Sequence, residues 1–251
     1  MKTSYVFVKK IFKRILNPLL NKLSNKLVIN QTDSILAPFQ FRSFLKDYEP
    51  QTWKYVMNQV KKGDIVADVG AFIGIYTIAF AKRVGPTGKV FSFEPDQNNL
   101  KLLKKMLKLN STISSRVELI NLAVADKDGA IYFEDGMQSE SHIPQNPKDT
   151  KPKIPCTSLD KFFMNQTLDI LKIDVEGYEL EVLKGAVNIL LSPSRPRCIF
   201  VEVHPCFWDS NPENKSQELL NILKMYNLRF FDETGPLTRM PNFWGWIVAT
   251  K

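Results

Sequence analysis

Histidine and cysteine are scarce in this chain, with two of the first and three of the second in 251 residues. Cys156, Cys198 and Cys206 are odd in number and have no tight spacing, which argues against a disulfide framework and for a reducing, cytoplasmic setting. Without a His/Cys cluster no zinc site is expected. No apolar run is long enough to span a bilayer, and none precedes a small-residue cleavage site in the manner of a signal peptide. Acidic residues are missing before Asp33, whereas Lys2, Lys9, Lys10, Lys13, Arg14, Lys22 and Lys26 supply seven of the eight net positive charges. The rest of the chain is therefore close to neutral, and no broad basic footprint for nucleic acid is expected.

The basic residues at the start interleave with Val8, Ile11, Phe12, Ile15, Leu16, Leu19, Leu20, Leu23 and Leu27. This spacing predicts a basic amphipathic helix over Tyr5 to Leu27, bent at Pro18. Two readings fit it equally: a helix peripheral to an anionic membrane surface, or one covering the edge of its own domain. The segment 1–47 is read as this extension plus most of an irregular aromatic lead-in, Gln31 to Glu49, which carries Phe39, Phe41, Phe44 and Tyr48 and is expected to help cover a ligand. A catalytic domain follows over 48–251.

The densest signal lies between Gly63 and Pro95. Ile65 to Val69 is a short apolar run that reads as a strand buried on both faces, and Gly70 and Gly74 bracket a turn containing Ala71 and Phe72. Ile75, Ile78, Ala79 and Val84 fall at helical spacing, and a second strand from Val90 ends at Phe93, Glu94 and Pro95. Such a unit places the first strand's end and the helix start at a nucleotide crevice, with Glu94 positioned to accept hydrogen bonds from ribose hydroxyls. A dinucleotide fingerprint requires a middle glycine, which this turn lacks. S-adenosylmethionine, which joins ribose to an amino acid, fits the turn better; Asp68 and the turn's backbone groups are expected to receive its charged methionine end.

Further along, Asp96 is expected to cap a helix through Leu100, Leu103 and Leu107. Val117 to Ala125 reads as the third strand with its exit loop, which makes Leu122 and Ala123 candidates to flank an adenine ring. A polar stretch from Glu134 to Lys153 reads as a long surface loop. Ser158 starts a short helix; strands are expected at Ile170 to Val175 and Cys198 to Val203, and a helix from Gln217 to Tyr226. Leu228 to Phe231 and Trp244 to Ala249 lie too close for another crossover and read as an antiparallel pair.

The segments DVGAFIG, FSFEP, SLD, KIDVEGYELEVLKGA and FVEVHP occur in that order. Together they resemble the FkbM-type S-adenosylmethionine-dependent methyltransferases from about Tyr48 to the carboxyl terminus. The resemblance implies a class I methyltransferase (Rossmann-like) fold: a three-layer α/β sandwich with a seven-stranded, mostly parallel sheet and one antiparallel strand near the C-terminus. It also implies O-methylation of a sugar, glycolipid or other small metabolite, with cofactor roles for Asp68, Gly70, Gly74, Thr77, Glu94 and Asp174. One departure is that the family turn often carries asparagine where Phe72 stands, which removes a polar side chain there.

Methyl transfer to a hydroxyl needs a group to take the hydroxyl proton. Asp174 and His204, at the ends of adjacent expected strands, are the candidate catalytic residues; a structural histidine at a strand end fits His204 equally well. Glu176 and Glu202 could join Asp174 around a divalent ion, but helix-cap and salt-bridge roles are the preferred reading. Two other readings stand beside the methyltransferase: a nicotinamide-dependent oxidoreductase, and a membrane-associated nucleotide-binding module without catalysis.

Overall fold

The computed structural model describes residues 24–30, 32–38, 41, 45, 48–133, 153–208, 211–232, 235–242 and 244–251. The expected amphipathic helix and the polar loop beginning at Glu134 lie outside these residues up to 23 and from 134 to 152, respectively. Ser24 onward departs from the expectation. Ser24–Ile29 is a strand, β1, paired antiparallel with β2 (Asp33–Pro38), so the helix does not reach Leu27 and the lead-in is a hairpin. Its alternation explains the difference: Ile29, Ile35 and Ala37 point into the core that also holds Trp53 and Phe80. Asp33 ties the hairpin down by accepting from Trp53 Nε1 at 2.8 Å and pairing with Arg83. The chain is thus packed into the domain well before Tyr48.

After α1 (Pro50–Gln59), the expected strand, turn, helix and strand follow as β3 (Ile65–Val69), α2 (Ile75–Arg83) and β4 (Lys89–Phe93). Asp96 caps α3 (Gln97–Leu109), accepting from the Asn98 and Asn99 N–H groups at 2.7 and 2.9 Å. A short α4 (Ser111–Ser114) leads to β5 (Val117–Ile120). The chain then leaves the main sheet: β6 (Ala123–Val124), β7 (Gly129–Tyr132) and β8 (Lys153–Thr157) form a separate three-stranded sheet. Ser158 caps α5 (Leu159–Phe162), and β9 (Ile170–Ile173) returns to the main sheet. The helical stretch after it is two pieces, α6 (Glu179–Lys184) and α7 (Val187–Leu191), followed by β10 (Cys198–Val203) and α8 (Pro212–Leu223). The chain closes with β11 (Asn227–Asp232), β12 (Gly235–Leu237) and β13 (Gly245–Thr250).

The main sheet has the order β12-β11-β13-β10-β9-β3-β4-β5. Eight strands replace the expected seven, because the turn-rich segment after β11 folds back as the edge strand β12. Two strands rather than one run against the parallel set, since β13 is antiparallel to both β10 and β11, and β12 to β11. Strand residues alternate between two cores. Val66, Val90, Ile170, Phe200 and Val248 meet α1, α2 and the hairpin on one face. Ala67, Phe91, Leu171, Ile199 and Ile247 meet α5 to α8 on the other. This is the three-layer sandwich the apolar runs imply, with burial on both sides explaining why they are continuous.

Candidate functional site

Four N–H groups of the turn after β3 have partners within the protein. Gly70 and Ala71 both donate to the Phe93 carbonyl at 3.0 Å, Phe72 donates to Glu94 Oε2 at 2.7 Å, and Gly74 donates to the Ala71 carbonyl at 2.8 Å. The bonds from Gly70, Ala71 and Phe72 hold the turn to the end of β4 and commit these N–H groups within the protein. Gly70 and Gly74 have φ of 79° and 88°, and Phe72 is left-handed too at 50°. Asparagine tolerates that region better than phenylalanine, which gives a backbone reason for asparagine at this position.

Beneath the turn lies a buried ion pair that the sequence reading did not find. Lys172 on β9 stands in register with Asp68 on β3, with Nζ 3.5 Å from Asp68 Oδ1 and 3.1 Å from Asp174 Oδ2. It also donates to the Gly70 carbonyl at 2.9 Å. Burial opposes its charge, but Asp174 and Asp68 outweigh it and hold its pKa above the ordinary lysine value. Thr77 donates to Asp68 Oδ2 at 2.5 Å and shares a hydrogen bond with Ser92 at 3.0 Å. Asp68 and Thr77 are wholly buried, so they support the turn from behind. They do not line the cavity, and neither does Gly74.

The cavity opens at the carboxyl ends of the parallel strands. Eight of the expected residues line it together: Gly70, Ala71, Phe72, Glu94, Pro95, Leu122, Ala123 and Asp174. Strand order gives it two ends. Leu122, Ala123 and Glu94 follow β5 and β4 on one side of Gly70, while on the other Asp174 follows β9 and Glu202 lies on β10. Glu94 accepts from the Phe72 and Asp96 N–H groups, and burial still carries its pKa up to about 7.

Tyr48, Glu49, Tyr76 and Lys172 also line the cavity; the first two end the aromatic lead-in expected to help cover a ligand, and sequence reasoning missed Tyr76 and Lys172. Among the described residues, three of the five non-glycine positions with positive φ, namely Glu49, Phe72 and Glu176, line this one cavity. Left-handed backbone of this kind costs about 1 to 3 kcal/mol and persists where surrounding structure imposes it, often at functional sites.

At the acidic end His204 sits behind the wall among carboxylates. Its Nδ1 is 2.9 Å from Glu179 Oε1, and its Nε2 is 3.5 Å from Glu176 and 3.6 Å from Glu202. Burial alone would lower its pKa, but hydrogen bonds with Glu179 and Glu202 and the charges of Glu179 and Asp174 push it up to about 12. Of the two roles expected for His204, base or structural histidine at a strand end, this setting favours the second. The surrounding carboxylates favour its charged form, in which His204 pairs with them and has no lone pair to take a proton.

Donor atoms of Asp174, Glu202 and His204 lie within 4.8 Å of one another, a spacing that could hold a metal ion. Within the chain these carboxylates are met by Lys172, His204 and Trp244 Nε1.

These pKa shifts set a pH dependence. Burial raises Glu49 and Glu176 to about 8, as it raises Glu94, so the folded chain holds protons that the unfolded chain releases at lower pH. Stability of the ligand-free protein should therefore fall as pH rises from about 5 to about 8. Above its ordinary range the raised pKa of His204 adds a loss in the same direction. Urea midpoints at constant ionic strength measure this; a midpoint that climbs over that interval contradicts it.

A mixed sheet with parallel strands in this order, covered on both faces and opened at the strand ends by a glycine turn and an acidic second-strand end, defines the class I methyltransferase fold. The profile of the FkbM methyltransferase domain matches residues 68–230, and the chain belongs to that family. It is 24% identical over 159 residues to hexuronic acid methyltransferase AglP of Haloferax volcanii, covering 62% of each chain. Methyltransferase sdnD of Sordaria araneosa is 24% identical over 186 residues, covering 60% of this chain and 69% of that one. Among solved structures, an FkbM methyltransferase from Methylobacillus flagellatus superposes with a TM-score of 0.51 at 18% identity, covering 89% of this chain and 48% of that one.

Proposed function

We propose that this protein transfers a methyl group from S-adenosylmethionine to a hydroxyl of a sugar, glycolipid or other small metabolite. The observation that carries the reading is the two-ended cavity, with Glu94 and apolar Leu122 and Ala123 at one end and carboxylates at the other. Glu94 suits ribose hydroxyls, Leu122 and Ala123 an adenine, and the far carboxylates a positive centre. A pyrophosphate would need open N–H groups at the turn, and those of Gly70, Ala71, Phe72 and Gly74 are already committed. The nicotinamide reading has no support on this geometry.

The sulfonium donor supplies an electrophilic methyl group, and the protein's task is to hold an oxygen in line with it while excluding water. With His204 protonated, Asp174 takes the role of base: it lines the cavity, and Lys172 orients its carboxylate. The sugar-modifying name of the Haloferax volcanii relative supports a sugar acceptor. The seven basic residues before Asp33 suit an acceptor presented at an anionic membrane surface, although no described helix is long and apolar enough to cross a membrane.

Calorimetry with S-adenosylmethionine should show binding that weakens by about 1.5 to 3 kcal/mol in Glu94→Ala, the range for a hydrogen bond involving a charged group. Unchanged affinity in the variant would put the ribose elsewhere. Labelled methyl transfer across sugar and lipid extracts then identifies the acceptor.

A further inference from the structure

Glu49 has no role in the reading above. It precedes α1 and lies outside the matched family segment, yet its carboxylate reaches the cavity. Tyr76 donates to its Oε2 at 2.7 Å. The other carboxylates of the acidic end each meet a cation, Asp174 through Lys172 and both Glu176 and Glu202 through His204. Among the described residues Glu49 is met at close range by neutral phenols instead. Among the described carboxylates of this acidic end, its charge is the one without a cation paired to it. Strand order then says what passes it. A donor whose ribose sits at Glu94, after β4, runs across Gly70, after β3, and brings its sulfonium toward Asp174, after β9, and Glu202 on β10. Glu49 belongs to that end, because Glu202, Asp174 and Lys172 are the charged groups that act on it.

Resting on the S-adenosylmethionine reading, we infer that Glu49 is a specificity-determining residue of the donor site, its carboxylate favouring the positively charged sulfonium donor over the uncharged thioether product. The reacted cofactor has lost the positive charge at sulfur with its methyl group, so the same site holds it less tightly and lets it leave. Burial and the charges of Glu202 and Asp174 make the Glu49 carboxylate avid for positive charge in the empty site, with a pKa of about 8. Tyr48 and Tyr76 hold its position without neutralising it.

The test is isothermal calorimetry of wild-type protein and Glu49→Gln with S-adenosylmethionine, S-adenosylhomocysteine and sinefungin, at mildly alkaline pH. Sinefungin carries an amine near the position of the transferring methyl group. The glutamine keeps an acceptor for Tyr76, so the expected result is nearly unchanged affinity for S-adenosylhomocysteine. Affinity for the two cationic ligands should fall roughly tenfold or more, the scale of an opposite charge within a few ångströms. Retained binding of S-adenosylhomocysteine also shows that the variant is folded. Equal losses for all three ligands, or no loss for any, would overturn the assignment while leaving the cofactor reading intact. A wild-type protein that binds none of them would overturn both.

Discussion

Lys172→Met should destabilise the protein by about 3 to 5 kcal/mol, the range for removing one partner of a buried ion pair. The methionine fills the space of the lysine stem, so the loss is electrostatic. Asp68 is fully buried and would keep Thr77 as its donor with no cation, and the Gly70 carbonyl would lose the ammonium that reaches it. Asp68 can escape by taking up a proton, because burial already raises its pKa against the pull of Lys172. The deficit relative to wild type should therefore be smaller in acid and grow toward neutral pH. The double variant Asp68→Asn with Lys172→Met should recover part of it, since no bare charge is left behind. Urea denaturation of the wild type and the two variants across pH measures this. A loss under about 1 kcal/mol at neutral pH would mean that the pair contributes little to holding β3 and β9 in register.

Gly70→Ala is expected to cost about as much and to abolish donor binding. A Cβ on Gly70 would lie 1.7 Å from the Asp174 carbonyl oxygen and 2.8 Å from its carbonyl carbon, and neither is a flexible side-chain end that could move aside. Overpacking costs about 1 to 3 kcal/mol, to which a left-handed alanine adds about 1 to 2. Separating the turn from the end of β9 would also displace Phe72 from Glu94, and a shift of about 1 Å in a positioned group can cost a hundredfold. Gly129→Ala is the control. Gly129 also has positive φ, but nothing lies within 4 Å of its would-be Cβ, so only the conformational part of the cost remains. Thermal melts and calorimetry of both variants separate the two contributions; equal effects would show that the contact with Asp174 is not what requires glycine.

The strand, turn and helix around Gly70 were legible because each carries a local signature: a continuous apolar run, two glycines and helical spacing. The same holds for the caps at Asp96 and Ser158, where a side chain bonds to N–H groups two or three residues on. Glu94, Leu122, Ala123 and Asp174 could be placed at the cavity since strand ends in such a sheet converge on one crevice. The hairpin before α1 was not legible, its alternation being overprinted by a helical spacing that runs on from the basic segment. Its burial depends on Trp53, Phe80 and Arg83, which are remote in sequence.

Lys172 shows the limit most clearly. In sequence it is a lysine inside a buried strand, which demands a carboxylate partner but does not say which. Register decides: β9 lies beside β3, and the pairing of their residues sets Lys172 against Asp68. His204 makes the same point about chemistry. Its sequence neighbours allowed either a base or a structural role, and the packing of Glu179 from α6 beside it, with Glu176 and Glu202, holds it as a cation. Sequence by itself determined the layered α/β architecture and the end of the sheet where a ligand would sit, because those follow from local periodicity and glycine spacing. Tertiary structure decided which groups carry charge there. Burial and the distance between charges fix protonation, and both arise only when strands and helices distant in the chain are brought together.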